Sequence, residues 1–111
     1  MDNMEYQEVV FGLIVNAGNA RSKAMNSIKL AKKGKIEEAK ENLKLSEEDL
    51  NLAHEIQTKL IQGEAAGEKT EISLLMVHAQ DHLMNAITVK DLANEIIDIH
   101  EKFMIEKIKS W

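Results

Sequence analysis

The chain has 111 residues, with 14 Lys plus Arg against 19 Asp plus Glu and a net charge of -5. It contains neither cysteine nor proline. That excludes a disulfide scaffold, a thiolate metal site, a cysteine nucleophile and a proline-rich linker. The acidic balance argues against nucleic acid as a partner, because such affinity rests on neutralising phosphates. A hydrophobic fraction of 44% is too high for a disordered tail, and the wealth of Ala, Leu, Ile, Glu, Lys and Met favours helices. Met1-Asp2-Asn3-Met4-Glu5 has neither the basic stretch nor the apolar core of a secretory signal. No apolar run approaches the roughly 20 residues of a membrane span, so the expected location is cytoplasmic.

The spacing predicts a first helix over about residues 4–33. Its apolar stripe is Val10, Ile14, Ala17, Ala24, Ile28 and Ala31, with Arg21 in the missing step. Lys32-Lys33-Gly34 is a stop signal, since cations suit a helix C-terminus and glycine tolerates the left-handed cap. A second helix is predicted over about residues 35–65. Ile36, Ala39, Leu43, Ser46, Leu50, Ala53, Gln57 and Leu60 form a three-four ladder, which implies long neighbours packed at shallow angles. Gly63 and Gly67 break the pattern. The third helix is predicted over about residues 70–107, with Thr70 as cap and Glu71 in its first turn. Three rods of about 30 residues, each roughly 45 Å long, make a single all-α domain, an antiparallel three-helix bundle.

Around His78 the third helix is apolar nearly all round. Leu74, Leu75, Met76, Val77, Ala79, Leu83 and Met84 point in most directions of the helical wheel. One intrachain face cannot bury them all, so self-association or a partner surface is expected here.

The candidate chemistry lies at His78-Ala79-Gln80-Asp81-His82. His78 and His82 are one turn apart and Asp81 is three residues from His78, so the three share a face. Polar groups on a mostly apolar stripe are costly without partners. Three readings fit the spacing. Two His at i and i+4 can hold zinc, as in the inverted zinc peptidases, but a third ligand is needed; His54, Glu55 and His100 are available and no spacing selects one. Alternatively, a neutral imidazole is a nucleophile that needs no flanking base, and a phosphoramidate on it can be passed on. An apolar, Met-containing collar suits more than one visiting protein. Third, the histidines could be hydrogen-bonded across a subunit interface as a purely structural cluster.

The segment Leu74-Leu75-Met76-Val77-His78-Ala79-Gln80-Asp81-His82-Leu83-Met84 resembles the signature of the enzyme IIA component of the lactose/cellobiose (chitobiose) class of the bacterial sugar phosphotransferase system. Ala17-Gly18-Asn19-Ala20-Arg21-Ser22, Ala53-His54-Glu55-Ile56-Gln57-Thr58 and Glu64-Ala65-Ala66-Gly67 match further stretches of that family, so the resemblance spans essentially the whole chain. His100 departs from it, where an aromatic is more usual, about six turns from His78. The resemblance implies a three-helix bundle that assembles as a homotrimer of nine helices. It implies that His78 takes a phosphoryl group from the phosphocarrier HPr and hands it to a cysteine of enzyme IIB. The membrane permease IIC then admits a disaccharide of the lactose, cellobiose or chitobiose type. Asp81 would meet its symmetry mates at the trimer axis around one structural divalent cation, usually Mg2+, since hard oxygen donors suit it better than zinc.

A phosphoryl group of about -2 charge on His78 needs donors. Gln80, His82 and backbone N–H groups of a neighbouring subunit are the candidates, because the helix dipole fades within the first turn. The alternatives are a non-enzymatic trimeric helical adaptor and a zinc hydrolase using His-x-x-Asp-His. Elsewhere, His54 with Gln57 reads as a hydrogen-bonded polar layer and Arg21 as the partner of an acid. Gly18 reads as a point of close helix contact, and Ser46-Glu47-Glu48-Asp49 as a solvated face.

Overall fold

The computed structural model describes residues 1–110. Three helices run along a rod of 63 × 22 × 19 Å: α1 Asn3–Lys32, α2 Ile36–Ala65 and α3 Leu74–Lys109. α1 and α3 run parallel and pack directly on each other, with Tyr6 near the start of one touching Ser73 at the start of the other, and α2 returns antiparallel to both.

Each turn follows from local chemistry. Asp2 caps α1 by accepting the Glu5 N–H at 2.8 Å. At its far end, Gly34 adopts a φ of 79°, and the Lys35 and Gly34 N–H groups donate back to Leu30 and Ala31 carbonyls. Glycine reaches that left-handed conformation without a Cβ penalty. Gly67, at φ 92°, ends α2 in the same manner, with Glu68 N–H donating to Gly63 O at 2.8 Å.

Small side chains set how closely the helices approach. One core cluster gathers Val10, Leu13, Ala17, Leu50, Ala53, Met76 and Leu83; a second gathers Ala24, Ala31, Ile36, Leu43, Ala93 and Ile97. Buried between them, Ser46 Oγ donates to Ala20 O at 2.7 Å and Ser27 Oγ to Ala24 O at 2.6 Å. Among the described residues no buried side-chain polar atom lacks a partner, as a dry interior requires. At the surface, Lys40 Nζ is 2.6 Å from Glu101. That hydrogen bond, reinforced by neighbouring acids, holds the ammonium above its ordinary pKa.

The α2 ladder is buried at Ile36, Ala39, Leu43, Ser46, Leu50 and Ala53, as its spacing predicts. On α1 the buried line is Val10, Leu13, Ala17, Ala20, Ala24, Ser27 and Ala31. It is rotated from the expected one, leaving Ile14 and Ile28 half-buried and Arg21 exposed. Arg21 makes no ion pair among the described residues, which corrects its assignment to an acid. Ala20 fits between closely packed helices where an arginine cannot.

A single chain does leave much of α3 uncovered. Leu74 is 86% exposed, and Val77, Met84, Leu92 and Ile99 are all more than half exposed. With Asp81, Thr88 and Glu95 they form one line at steps of three and four, the spacing of a helix–helix seam.

Candidate functional site

The site starts with the cap of α3. Ser73, not Thr70, is the N-cap: its Oγ accepts the Met76 N–H at 3.1 Å. Tyr6 on α1 donates its hydroxyl proton to Glu71 O at 3.0 Å. Having only one proton, it accepts the second bond from Ser73 Oγ. This tie holds Ser73 extended, with residues 70–72 also outside the helix, and makes Leu74 the first helical residue. His78 thus lies in the second turn of α3, nearer the helix N-terminus than a start at residue 70 implies. Tyr6 and Ser73 were missed in the sequence; a Ser immediately before the Leu74–Val77 run was the available signal.

His78 is solvent-exposed. Its ring stacks on His82, with centroids 5.8 Å apart and planes 19° from parallel. His82 is half-buried and lies over α1 at Gly18: a Cβ there would come within 3.4 Å of His82 Nε2. Gly18 therefore gives the His82 ring its seat. Arg21, one turn further along α1, shares that face.

Asp81 is exposed and accepts from Asn85 Nδ2 at 3.2 Å. It borders an apolar groove of about 480 Å³ with Leu60, Ile61, Ile72, Met76 and Met84. Gln80 lies elsewhere. Two residues from His78, it sits about 200° round the helix, and its Oε1 accepts from Gln57 Nε2 on α2 at 2.7 Å. One chain does not bring Gln80 to His78. Gln57, expected beside His54, pairs with Gln80 instead, and His54 is exposed beside Glu47, Asn51 and Lys90.

Among the described residues no three His, Cys, Asp or Glu side chains converge as a metal would need. The two imidazoles thus lack the third protein ligand of a catalytic zinc, and His54, Glu55 and His100 do not supply one. What remains is an accessible imidazole backed by a second, on a rigid helix, beside an exposed apolar line. That arrangement suits a nucleophile that visiting proteins can reach.

No helix among the described residues is long and apolar enough to cross a membrane. The family model of the "PTS system, Lactose/Cellobiose specific IIA subunit" matches residues 8–101. The lichenan-specific phosphotransferase enzyme IIA component of Bacillus subtilis is 57% identical over 100 residues, covering 90% of this chain and 91% of that protein. The crystal structure of the cellobiose-specific enzyme IIA from Bacillus anthracis superposes with a TM-score of 0.88 at 54% identity, covering 95% of this chain and 94% of that one. The IIA(chitobiose) of Escherichia coli, solved in complex with HPr, gives a TM-score of 0.77 at 46% identity, over 89% of this chain and 96% of that one. The match of sequence and fold over nearly the full length leaves neither the zinc hydrolase nor the passive adaptor standing: this chain belongs to the lactose/cellobiose-specific IIA subunits of the phosphoryl-transferring sugar phosphotransferase system.

Proposed function

We propose that His78 carries the phosphoryl group. A ring nitrogen attacks phospho-HPr, forming one N–P bond as the donor's N–P bond breaks. The thiolate of a cysteine on the cognate enzyme IIB then forms an S–P bond as the His78 N–P bond breaks. The group finally reaches a disaccharide of the lactose, cellobiose or chitobiose type entering through permease IIC. The observation that carries this reading is the exposed His78 ring, stacked on His82 near the start of α3. Exposure matters because donor and acceptor proteins must both approach in line. The Escherichia coli relative solved with HPr supports HPr as the donor.

Transfer of this kind is catalysed mainly by positioning and charge stabilisation. His82 holds the His78 ring in place and offers a ring nitrogen to the phosphoryl oxygens. Arg21, exposed, without an ion pair among the described residues and on the Gly18 face, is the α1 cation we assign to the phosphoryl group. Gln80 contributes only from a neighbouring copy.

The exposed α3 line from Leu74 to Ile99 supports a homotrimer with Asp81 on its axis. Asp81 is the one acid in the upper part of that line and has only a neutral amide partner, so three copies would bring three unneutralised carboxylates together. Repulsion between them in a dry seam is severe. A single hard divalent cation fits that oxygen-only donor set, and Mg2+ bound by the three Asp81 carboxylates would offset two of their three charges in a structural role.

The test is phosphorylation by enzyme I, HPr and phosphoenolpyruvate. Wild type should take up one acid-labile phosphate per chain and discharge it to its IIB. His78→Ala should take up none; continued uptake would overturn the assignment.

A further inference from the structure

We propose that the end of the rod built from the α1–α2 turn and the last turns of α3 docks on an anionic lipid surface. The two elements meet there: a Cβ on Gly34 would lie 3.8 Å from Met104 Sδ and Cε. Residues 105–109 continue past the turn for about 7.5 Å at the helical rise. Residues 29–35 carry Lys29, Lys32, Lys33 and Lys35; residues 102–109 add Lys102, Lys107 and Lys109 against Glu106 alone. Counted to the height of Lys29 on all three helices, Glu37, Glu38 and Glu101 join Glu106, so seven cations face four anions and this tip carries a local charge of +3, in a chain whose total is -5.

Helix dipoles account for only part of this. Lys29, Lys32, Lys107 and Lys109 occupy last turns, where a cation is favoured. Lys35 is the reverse case. It is the N-cap of α2 and forms no side-chain capping bond, at a position where the dipole opposes positive charge. All seven lysines are exposed, and among the described residues only Lys102 joins an ion pair, with Asp98 at 3.2 Å. Of the nearby acids, Glu101 and Glu37 contact Lys40, whereas Glu38 joins no ion pair among the described residues.

Apolar groups stand among these charges. Ile105 and Ile108 are 47% and 59% exposed and share a face, flanked by Lys107 and Lys109. A surface that read only phosphates would have no use for them. A bilayer interface accepts both, with apolar side chains entering to about 5–10 Å beneath a ring of cations. The acidic remainder does not forbid this. Screening acts over about 8 Å at physiological ionic strength, and the rod is 63 Å long, so an end-on molecule keeps most of its negative charge out of range. If the chain trimerises as proposed above, rotational symmetry sets three such tips at the same end.

The experiment is co-sedimentation of the full chain with vesicles of phosphatidylcholine alone or mixed with phosphatidylglycerol. Binding is expected only to the mixed vesicles and is expected to fall at high salt. Each lysine near the surface is worth about fivefold in partitioning, so the triple variant Lys32→Gln/Lys33→Gln/Lys35→Gln should lose about 100-fold. Ile105→Ser/Ile108→Ser should also bind more weakly. Both variants should melt as wild type does and accept phosphate from HPr at the wild-type rate, which separates this proposal from the reading of His78. No preference for anionic vesicles, an undiminished triple variant, or retention of single-stranded RNA without vesicle binding would each overturn it.

Discussion

Gly18→Ala should stabilise the protein and slow phosphoryl transfer together. Glycine inside a helix is less stable than alanine by roughly 0.5–1 kcal/mol, because more backbone freedom is lost on folding. Whether that gain is kept depends on what the new methyl meets. At position 18 it meets one atom, His82 Nε2, at 3.4 Å, which is ordinary contact and demands no movement. Most of the gain should survive, a rise of about 2–5 °C in Tm for a chain of this size. The same methyl occupies the space beside the ring nitrogen that we assign to the phosphoryl oxygens. Position 12 provides the contrast. A methyl there would approach Ile56 Cδ1 at 3.0 Å, so the isoleucine must shift, and overpacking of this kind costs about 1–3 kcal/mol. Gly12→Ala should therefore be neutral or destabilised. The assay is thermal unfolding by circular dichroism alongside the rate of phosphate uptake from HPr. A fall in Tm for Gly18→Ala would refute the packing argument. A stabilised Gly18→Ala with wild-type transfer would refute the claim that the space over His82 is used.

Tyr6→Phe removes the donor to Glu71 O and the partner of Ser73 Oγ, a loss of about 1 kcal/mol; amide exchange at Met76 and Val77 should quicken, and unchanged protection would show that the clamp does not set the start of α3. Arg21→Gln lies on the surface and should change stability by less than about 0.5 kcal/mol while slowing uptake from HPr, with Arg21→Lys in between. Equal rates in all three proteins would remove Arg21 from the site. For Asp81, chelator should weaken the wild-type assembly in sedimentation experiments, whereas Asp81→Leu should form a trimer indifferent to chelator. A wild-type trimer unmoved by chelator would discount the axial cation.

Much of the architecture was legible in the residues because long periodic helices need little tertiary context. The α2 ladder from Ile36 to Ala53 is buried as its spacing dictates, and Gly34 and Gly67 end helices where a left-handed residue was needed. The α1 stripe was read less well. The expected stripe ran through Ala17, Ala24 and Ala31 but took Ile14 and Ile28 in place of Leu13, Ala20 and Ser27, because spacing fixes the period of a helix and not the small rotation that close packing selects. The neighbouring placement of His78 and His82 was visible from one-turn spacing alone. Gln80 was not separable from it on the page of sequence, because its orientation depends on Gln57 of another helix.

By itself, then, the order of residues determined the number of helices, their approximate ends and the shared face of His78 and His82. These depend on the 3.6-residue period and on caps, which are local. Only the folded chain decided that α3 begins at Leu74, since Tyr6 reaches across 67 positions of sequence to hold Ser73. It also decided that Arg21 faces water and that Gly18 seats His82. Those outcomes turn on how two helices rotate against each other, and close packing, not periodicity, selects that rotation.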